Sequence, residues 1–224
     1  MCAVLVVAAQ LFQHVAIWFF IPPESSPRVA LEIRNMPIDR VRAVVIMFSI
    51  LAMLGVYMAT AFERAKRAPG AALVGFAAAL LFGAFDLGYR SIDFFFVTQR
   101  WAAEYQSTQV ESVKLLLIER VATWDQIVSA IYFPLILATL VANASFTLAM
   151  RTERGRFARL AFAAWIIDTV RRFVRVLGFA GIDALQPIND AIFFPSVVMI
   201  YSLLAVWLWK RGSVGGDVDR IHGR

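Results

Sequence analysis

Two apolar stretches of this chain carry charged residues at helical spacing. In Phe82–Phe94 an acid is followed at i+3, i+4 and i+7 by further polar residues, and the set is Asp86, Tyr89, Arg90 and Asp93. The stretch Phe162–Leu177 repeats this spacing with Asp168, Arg171, Arg172 and Arg175. We name these sets the first and the second charge ladder. Each ladder occupies one face of a helix. Because charge at membrane depth is costly and normally faces a bundle interior or a water-filled cavity, the ladders mark a candidate site.

The ladders allow three kinds of chemistry. Ion pairs among the ladder residues would join Asp86 to Arg172 or Arg175, and Asp168 to Arg171. The ladders together hold three aspartates and four arginines, so one guanidinium is left in excess. Arginine keeps its proton and can grip a carboxylate or phosphate with two hydrogen bonds. Structural pairing, a site for a small anion or lipid headgroup, and a proton or ion path therefore remain open.

One histidine, His14, also lies in an apolar run and joins the candidate ligand site. Next to Asp86 or Asp168 it could act as a general base, and a hydrogen bond to a neighbouring helix is the alternative. We expect no metal site, because the other histidine is His222 and the chain has a single cysteine. No cofactor-binding or catalytic motif is present, so no cofactor and no catalytic residue are assigned.

Composition indicates what holds these residues. Of 224 residues, 60% are hydrophobic and 17% are charged, which is typical of an integral membrane protein. Apolar runs of membrane-spanning length occupy about 4–21, 44–62, 71–97, 127–150, 157–180 and 190–209. We therefore predict an all-α integral membrane helical bundle of about six transmembrane helices. It would form a single domain, 1–211, followed by a flexible cytoplasmic tail, 212–224.

Basic residues predict the orientation of this bundle. They cluster between runs two and three, between runs four and five, and after run six: Arg64, Lys66, Arg67, Arg151, Arg154, Arg156, Arg159, Lys210, Arg211, Arg220 and Arg224. The positive-inside rule then places both termini in the cytoplasm. The net charge of +6 is thus an orientation signal, and we expect no nucleic-acid partner.

The segment between the third and fourth runs predicts an amphipathic interfacial helix. Within Thr98–Trp124, apolar residues recur every three or four positions at Val110, Val113, Leu117 and Val121. We expect this helix at the outer membrane surface. Pro134 and Pro195, early in runs four and six, would loosen the outer helix ends around a cavity.

The run Gly88–Asp93, with its aromatic-Arg-x-x-acid pattern, ends the third helix after a long outer loop, a helix and a short basic turn. This first half of the chain resembles an uncharacterised bacterial multi-pass membrane family, known as domain of unknown function 4386. In that family a glutamate usually stands where this chain has Asp93. The resemblance implies a bacterial inner-membrane protein and brings no activity with it.

The leading functional hypothesis is an outward-facing charged cavity that binds a small anion or lipid headgroup. Such a protein would act as a carrier, a sensor or an accessory subunit in the lipid bilayer. The alternatives are an intramembrane enzyme acting on a lipid substrate, which we favour less, and a purely structural subunit of a membrane complex. The sequence leaves open whether the chain forms a homo-oligomer or has a membrane-complex partner.

Overall fold

Long α-helices dominate the chain. The structure, a computed structural model, describes residues 1–153, 155–182 and 184–221, with side chains as far as Arg211. This part does not include the side chains of the predicted tail, 212–224, or residues 222–224 themselves. It also does not include Arg154 of the predicted basic turn. The described ranges form helices and no β-strand: α1 (Cys2–Phe19), α2 (Pro27–Arg34), α3 (Pro37–Ala65), α4 (Pro69–Ile92), a π-helix (Asp93–Trp101), α5 (Ala102–Ser107), α6 (Glu111–Met150), α7 (Arg156–Phe179) and α8 (Leu185–Ile221).

Six of these helices close into a ring. In order around the ring, α1 packs against α3, followed by α4, α6, α7 and α8, and α8 returns to α1. Short connections join α3 to α4 and α6 to α7, so these pairs are antiparallel neighbours. A ring of six helices has a central axis that must hold either packed side chains or a cavity.

Five helical segments are long and apolar enough to cross a membrane: Cys2–Phe19, Pro37–Ala65, Pro69–Ser107, Glu111–Met150 and Leu185–Arg211. The prediction of an all-helical bundle is confirmed, and by length and composition five of its helical segments could cross a membrane. Helix α7 has 24 residues, about 36 Å of helix, and is long enough by the same measure. It is not one of the five apolar segments because it carries the charged residues of the second ladder.

The predicted interfacial helix takes a different form in the structure. A short break at residues 108–110 separates α5 from α6, and α6 then runs unbroken through the predicted fourth span. The apolar side chains Leu117, Val121 and Trp124 are buried against Ala30 and Leu31 of α2. Residues expected to rest on the bilayer therefore form a small protein core with α2, which the periodicity alone could not distinguish from a membrane-facing surface.

At the opposite end of the ring, aromatic side chains fill the axis. Tyr57, Phe146 and Trp165 are all fully buried, and their ring centroids lie 5.0–5.7 Å apart. The Tyr57 hydroxyl donates a hydrogen bond of 2.7 Å to Asn143 Oδ1. Because Trp165 precedes Asp168 by one helical turn, this cluster forms a floor directly beneath the second charge ladder.

Gly75 permits α4 to pack closely on α6 at this floor. A Cβ at Gly75 would lie 3.0 Å from two ring carbons of the buried Phe146. We expect Gly75→Ala to lower the free energy of unfolding by about 1–3 kcal/mol through overpacking. Thermal unfolding in detergent measures this, with Gly88→Ala as the matched control because a Cβ at Gly88 meets nothing within 4 Å. Equal unfolding temperatures of the two variants would contradict the close approach of α4 to α6 at Gly75.

The loop between α6 and α7 is held to the ring by one buried carboxylate. Glu153 forms ion pairs with Arg64 at the end of α3, with Arg67 in the next turn, and with Arg211 of α8. The Arg211 contact is 2.6 Å, and both Glu153 and Arg64 have side chains only 1% exposed. We name this group the Glu153 cluster. It joins three segments at the end of the ring that the aromatic floor closes.

We expect the Glu153 cluster to make the stability of the folded state depend on pH. Burial opposes ionisation of the Glu153 carboxyl, but the hydrogen bonds and charge of Arg64, Arg67 and Arg211 outweigh it and hold its pKa below the ordinary 4.5. The stabilisation is therefore complete above pH 4.5 and is lost as the pH falls through the lowered pKa. Between pH 6 and pH 3, the unfolding temperature of the wild type should fall more than that of Glu153→Gln. Equal falls in the unfolding temperature of the two proteins would show that the ionised Glu153 carboxylate does not stabilise the fold.

Candidate anion site

A cavity of about 280 Å³ lies inside the ring above the aromatic floor. All six ring helices line it: α1 and α3 with Val6, Gln10, Gln13, Ile46, Ser49, Ile50 and Met53; α4 and α6 with Phe82, Asp86, Arg90, Tyr132 and Leu135; α7 and α8 with Arg171, Arg172, Arg175, Asn189, Asp190, Phe193, Val197 and Tyr201. The two ladders thus meet at one site. Five of the eight ladder residues line the cavity: Asp86, Arg90, Arg171, Arg172 and Arg175.

The second ladder forms the base of the site. Both Nε and Nη2 of Arg171 donate to Asp168 Oδ1, at 3.1 and 2.6 Å, which confirms the predicted pair. Arg172 Nε lies 3.6 Å from the same oxygen. Asp168 is 1% exposed, Arg171 3% and Arg172 8%. One buried carboxylate therefore compensates two buried guanidinium groups.

The first ladder pairs within its own helix. Arg90 Nε donates to Asp86 Oδ1 at 2.8 Å, so the predicted pairing of Asp86 with Arg172 or Arg175 is wrong. An acid and a base at i and i+4 on one helix are already neighbours and need no partner from another helix. The Tyr89 hydroxyl donates a 2.9 Å hydrogen bond to the Tyr132 hydroxyl, which joins α4 to α6 beside the cavity.

Asp93 lies away from the cavity, contrary to the prediction. Its carboxylate is 3.1 Å from Arg34 Nη1 of α2 and accepts a 3.0 Å hydrogen bond from Trp124 Nε1 of α6. This position is the start of the π-helix, which α2 contacts. Asp93 therefore belongs to the contact between α2 and the ring.

Three guanidinium groups at the cavity hold buried nitrogen atoms without a hydrogen-bond partner among the described residues: Arg171 Nη1, Arg172 Nε and Arg175 Nε. Arg175 also has no carboxylate within 4 Å in the described chain, and its guanidinium lies 5.3 Å from the centre of the Tyr132 ring. Buried N–H groups normally find a partner, since leaving one unsatisfied costs about 1–3 kcal/mol. All three arginines line the same cavity.

Asp190 replaces Asp93 in the charge count. Among the described residues the site then holds Asp86, Asp168 and Asp190 against four arginines, so the excess of one positive charge persists with different members. Asp190 is exposed and accepts a hydrogen bond from Asn189. Sequence reasoning missed it because it stands alone at the start of the last apolar run, without a partner at helical spacing.

Gln10, Gln13, Asn189 and Tyr132 were missed for the same reason. Each is a neutral polar residue outside the ladders, and only the closure of the ring brings them to the ladders. The nearest signal in the sequence is the presence of two glutamines in the otherwise apolar first run.

His14 is not one of the cavity residues. Its ring stacks on Phe194 with centroids 3.8 Å apart and planes 7° apart, and it also contacts Trp18. Asp86 pairs with Arg90 and Asp168 with Arg171, and the described side chains show no hydrogen bond from His14 to either aspartate. A direct hydrogen bond between His14 and either aspartate is therefore absent from the described residues.

Comparison with known proteins gives no relative. No family model, no curated protein and no solved structure matches this chain. The resemblance of its first half to the family of domain of unknown function 4386 therefore stays a prediction.

Proposed function

We propose that this protein crosses a bacterial inner membrane six times and binds a small anion or anionic headgroup in the cavity between its helices. One observation carries the proposal: three buried arginine nitrogens at one cavity lack partners, in a site with one excess positive charge. A bound anion would accept hydrogen bonds from these arginines and neutralise the excess positive charge. Arginine suits this role because it stays charged and is less strongly hydrated than lysine.

In the six-span arrangement, α7 crosses the membrane together with the five apolar segments. Asp168, Arg171 and Arg172 of its ladder are buried, and Arg171 lies over the Phe193 ring of α8, so these charges do not face lipid. A charged helix can cross a membrane when its charges face the bundle interior. The start of α6 and its core with α2 would then stand at the outer membrane surface.

Basic residues support the orientation. Arg64, Arg67 and Arg211 meet at the Glu153 cluster, at the end of the ring opposite α2 and α5. The positive-inside rule assigns this end to the cytoplasm, so the cavity lies in the outer half. In a Cys2→Ser background, Ser107→Cys should react with a membrane-impermeant maleimide in intact cells, and Thr152→Cys only after permeabilisation. The reverse pattern would invert the topology.

Anion binding can be tested by thermal unfolding of the detergent-purified protein. The probes are inorganic phosphate, glycerol 3-phosphate as a soluble headgroup, and hexanoate, each compared with chloride at equal ionic strength. At a concentration 100 times its Kd a ligand stabilises the folded state by about 2.7 kcal/mol, so at least one probe should raise the unfolding temperature in a saturable manner. If no probe exceeds chloride at millimolar concentration, the proposed function is wrong.

A further inference from the structure

The walls of the cavity differ in character. The residues that α1 and α3 contribute are uncharged, and both helices are described in full. Every charged group at the site comes from α4, α7 and α8. Four of the seven residues on the uncharged side are apolar, Val6, Ile46, Ile50 and Met53, and the other three, Gln10, Gln13 and Ser49, are neutral and polar. A ligand that fills the cavity therefore meets guanidinium groups on one side and an uncharged, mainly apolar wall on the other.

The excess charge limits the charge of the ligand. The described carboxylates and guanidinium groups leave one positive charge, which a singly charged anion neutralises. A doubly charged anion such as hydrogen phosphate would leave one negative charge uncompensated in a largely buried site, which is costly. A single negative charge is therefore the better match.

The positions of the unpartnered nitrogens suit a carboxylate. Arg171 and Arg172 are adjacent on α7 and Arg175 lies about one turn further on; all three line the cavity, and each has one buried nitrogen without a hydrogen-bond partner. A planar carboxylate has about four lone-pair sites on two oxygens and can accept from several guanidinium groups at once.

The volume limits the size of the ligand. A cavity of 280 Å³ holds roughly nine water molecules at about 30 Å³ each, and it lies just below the usual range for drug-sized ligands. A ligand enclosed in it would have about as many non-hydrogen atoms. A longer chain would have to leave the ring between helices.

We propose that the cavity binds an organic monocarboxylate, with its carboxylate on Arg171, Arg172 and Arg175 and its apolar body against α1 and α3. This inference rests on the proposed function and names the ligand class of the same site. The carboxylate can belong to a free small acid or to a fatty acid from the bilayer, and these two sources share the recognition chemistry.

A chain-length series tests the ligand class. Acetate, butyrate, hexanoate, octanoate and palmitate are titrated into the detergent-purified protein and compared with inorganic phosphate, succinate and hexylamine. Affinity should rise about fourfold per methylene from butyrate to hexanoate, following the free energy of burying a CH₂ group. Phosphate, succinate and hexylamine should bind at least tenfold more weakly than hexanoate.

The outcomes separate the two proposals and the two ligand sources. A maximum at hexanoate or octanoate supports a free small acid, and tightest binding of palmitate supports a fatty acid. Phosphate or succinate binding as tightly as hexanoate overturns the monocarboxylate while leaving anion binding intact. Equal binding of hexylamine overturns it as well, because apolar contact alone would explain the affinity. If no anion exceeds chloride, the proposed function itself fails.

Discussion

Asp168→Asn should lower the free energy of unfolding by about 3–5 kcal/mol, the largest stability effect that we expect from a single substitution here. The carboxylate is 1% exposed and compensates both Arg171 and Arg172. Asparagine has nearly the same shape but no charge, so two buried guanidinium groups would lose their counterion. Chemical or thermal unfolding in detergent measures the loss.

Two further variants show whether charge is the cause. Asp190→Asn removes the same charge at an exposed position of the same site and should change stability by less than about 1 kcal/mol. Adding Arg171→Gln to Asp168→Asn should restore part of the lost stability, because it removes one uncompensated charge. If Asp168→Asn behaves like Asp190→Asn, the second ladder does not depend on this buried carboxylate.

Arg175→Gln should weaken anion binding by about 10- to 100-fold while leaving the folded state as stable as the wild type. A hydrogen bond to a charged group contributes about 1.5–3 kcal/mol, which corresponds to this loss in affinity. Arg175 is the informative position because it has no carboxylate within 4 Å in the described chain. Arg172, by contrast, also pairs with Asp168, so replacing it would change binding and stability together.

The matched control for Arg175→Gln is Arg120→Gln on the exposed surface of α6. It makes the same change in net charge away from the cavity and should leave the affinity for hexanoate or phosphate unchanged. Isothermal titration calorimetry of both variants measures these affinities. Equal affinities of Arg175→Gln and the wild type would show that Arg175 does not contact the anion.

Local spacing predicted those parts of the site that depend on a single helix. Positions i, i+3 and i+4 lie on one face whatever the rest of the chain does, so the second ladder and the pair of Asp168 with Arg171 could be read from the sequence. The same rule explains the error at Asp86. Its partner Arg90 on its own helix was passed over in favour of arginines on another helix.

The contacts that need ring closure could not be predicted. Asp93 follows the ladder spacing, yet its partners Arg34 and Trp124 come from two other helices, α2 and α6. Asp190 and the glutamines of α1 reach the cavity because α1 and α8 are neighbours in the ring. Apolar periodicity gives the length of each helix and not its order around the axis.

The most direct test of the central claim, that the cavity presents a net positive charge, is the charge selectivity of a thiol placed inside it. In a Cys2→Ser background, Gln13→Cys introduces one thiol at the cavity wall, and Ser107→Cys introduces one at an exposed position on α5. Each variant is reacted with an anionic and a cationic methanethiosulfonate reagent, and the ratio of the two rates is compared. We predict a higher anionic-to-cationic ratio at Gln13→Cys than at Ser107→Cys, and a lower ratio once Arg175→Gln is added. A ratio at Gln13→Cys equal to or below that at Ser107→Cys would contradict the account.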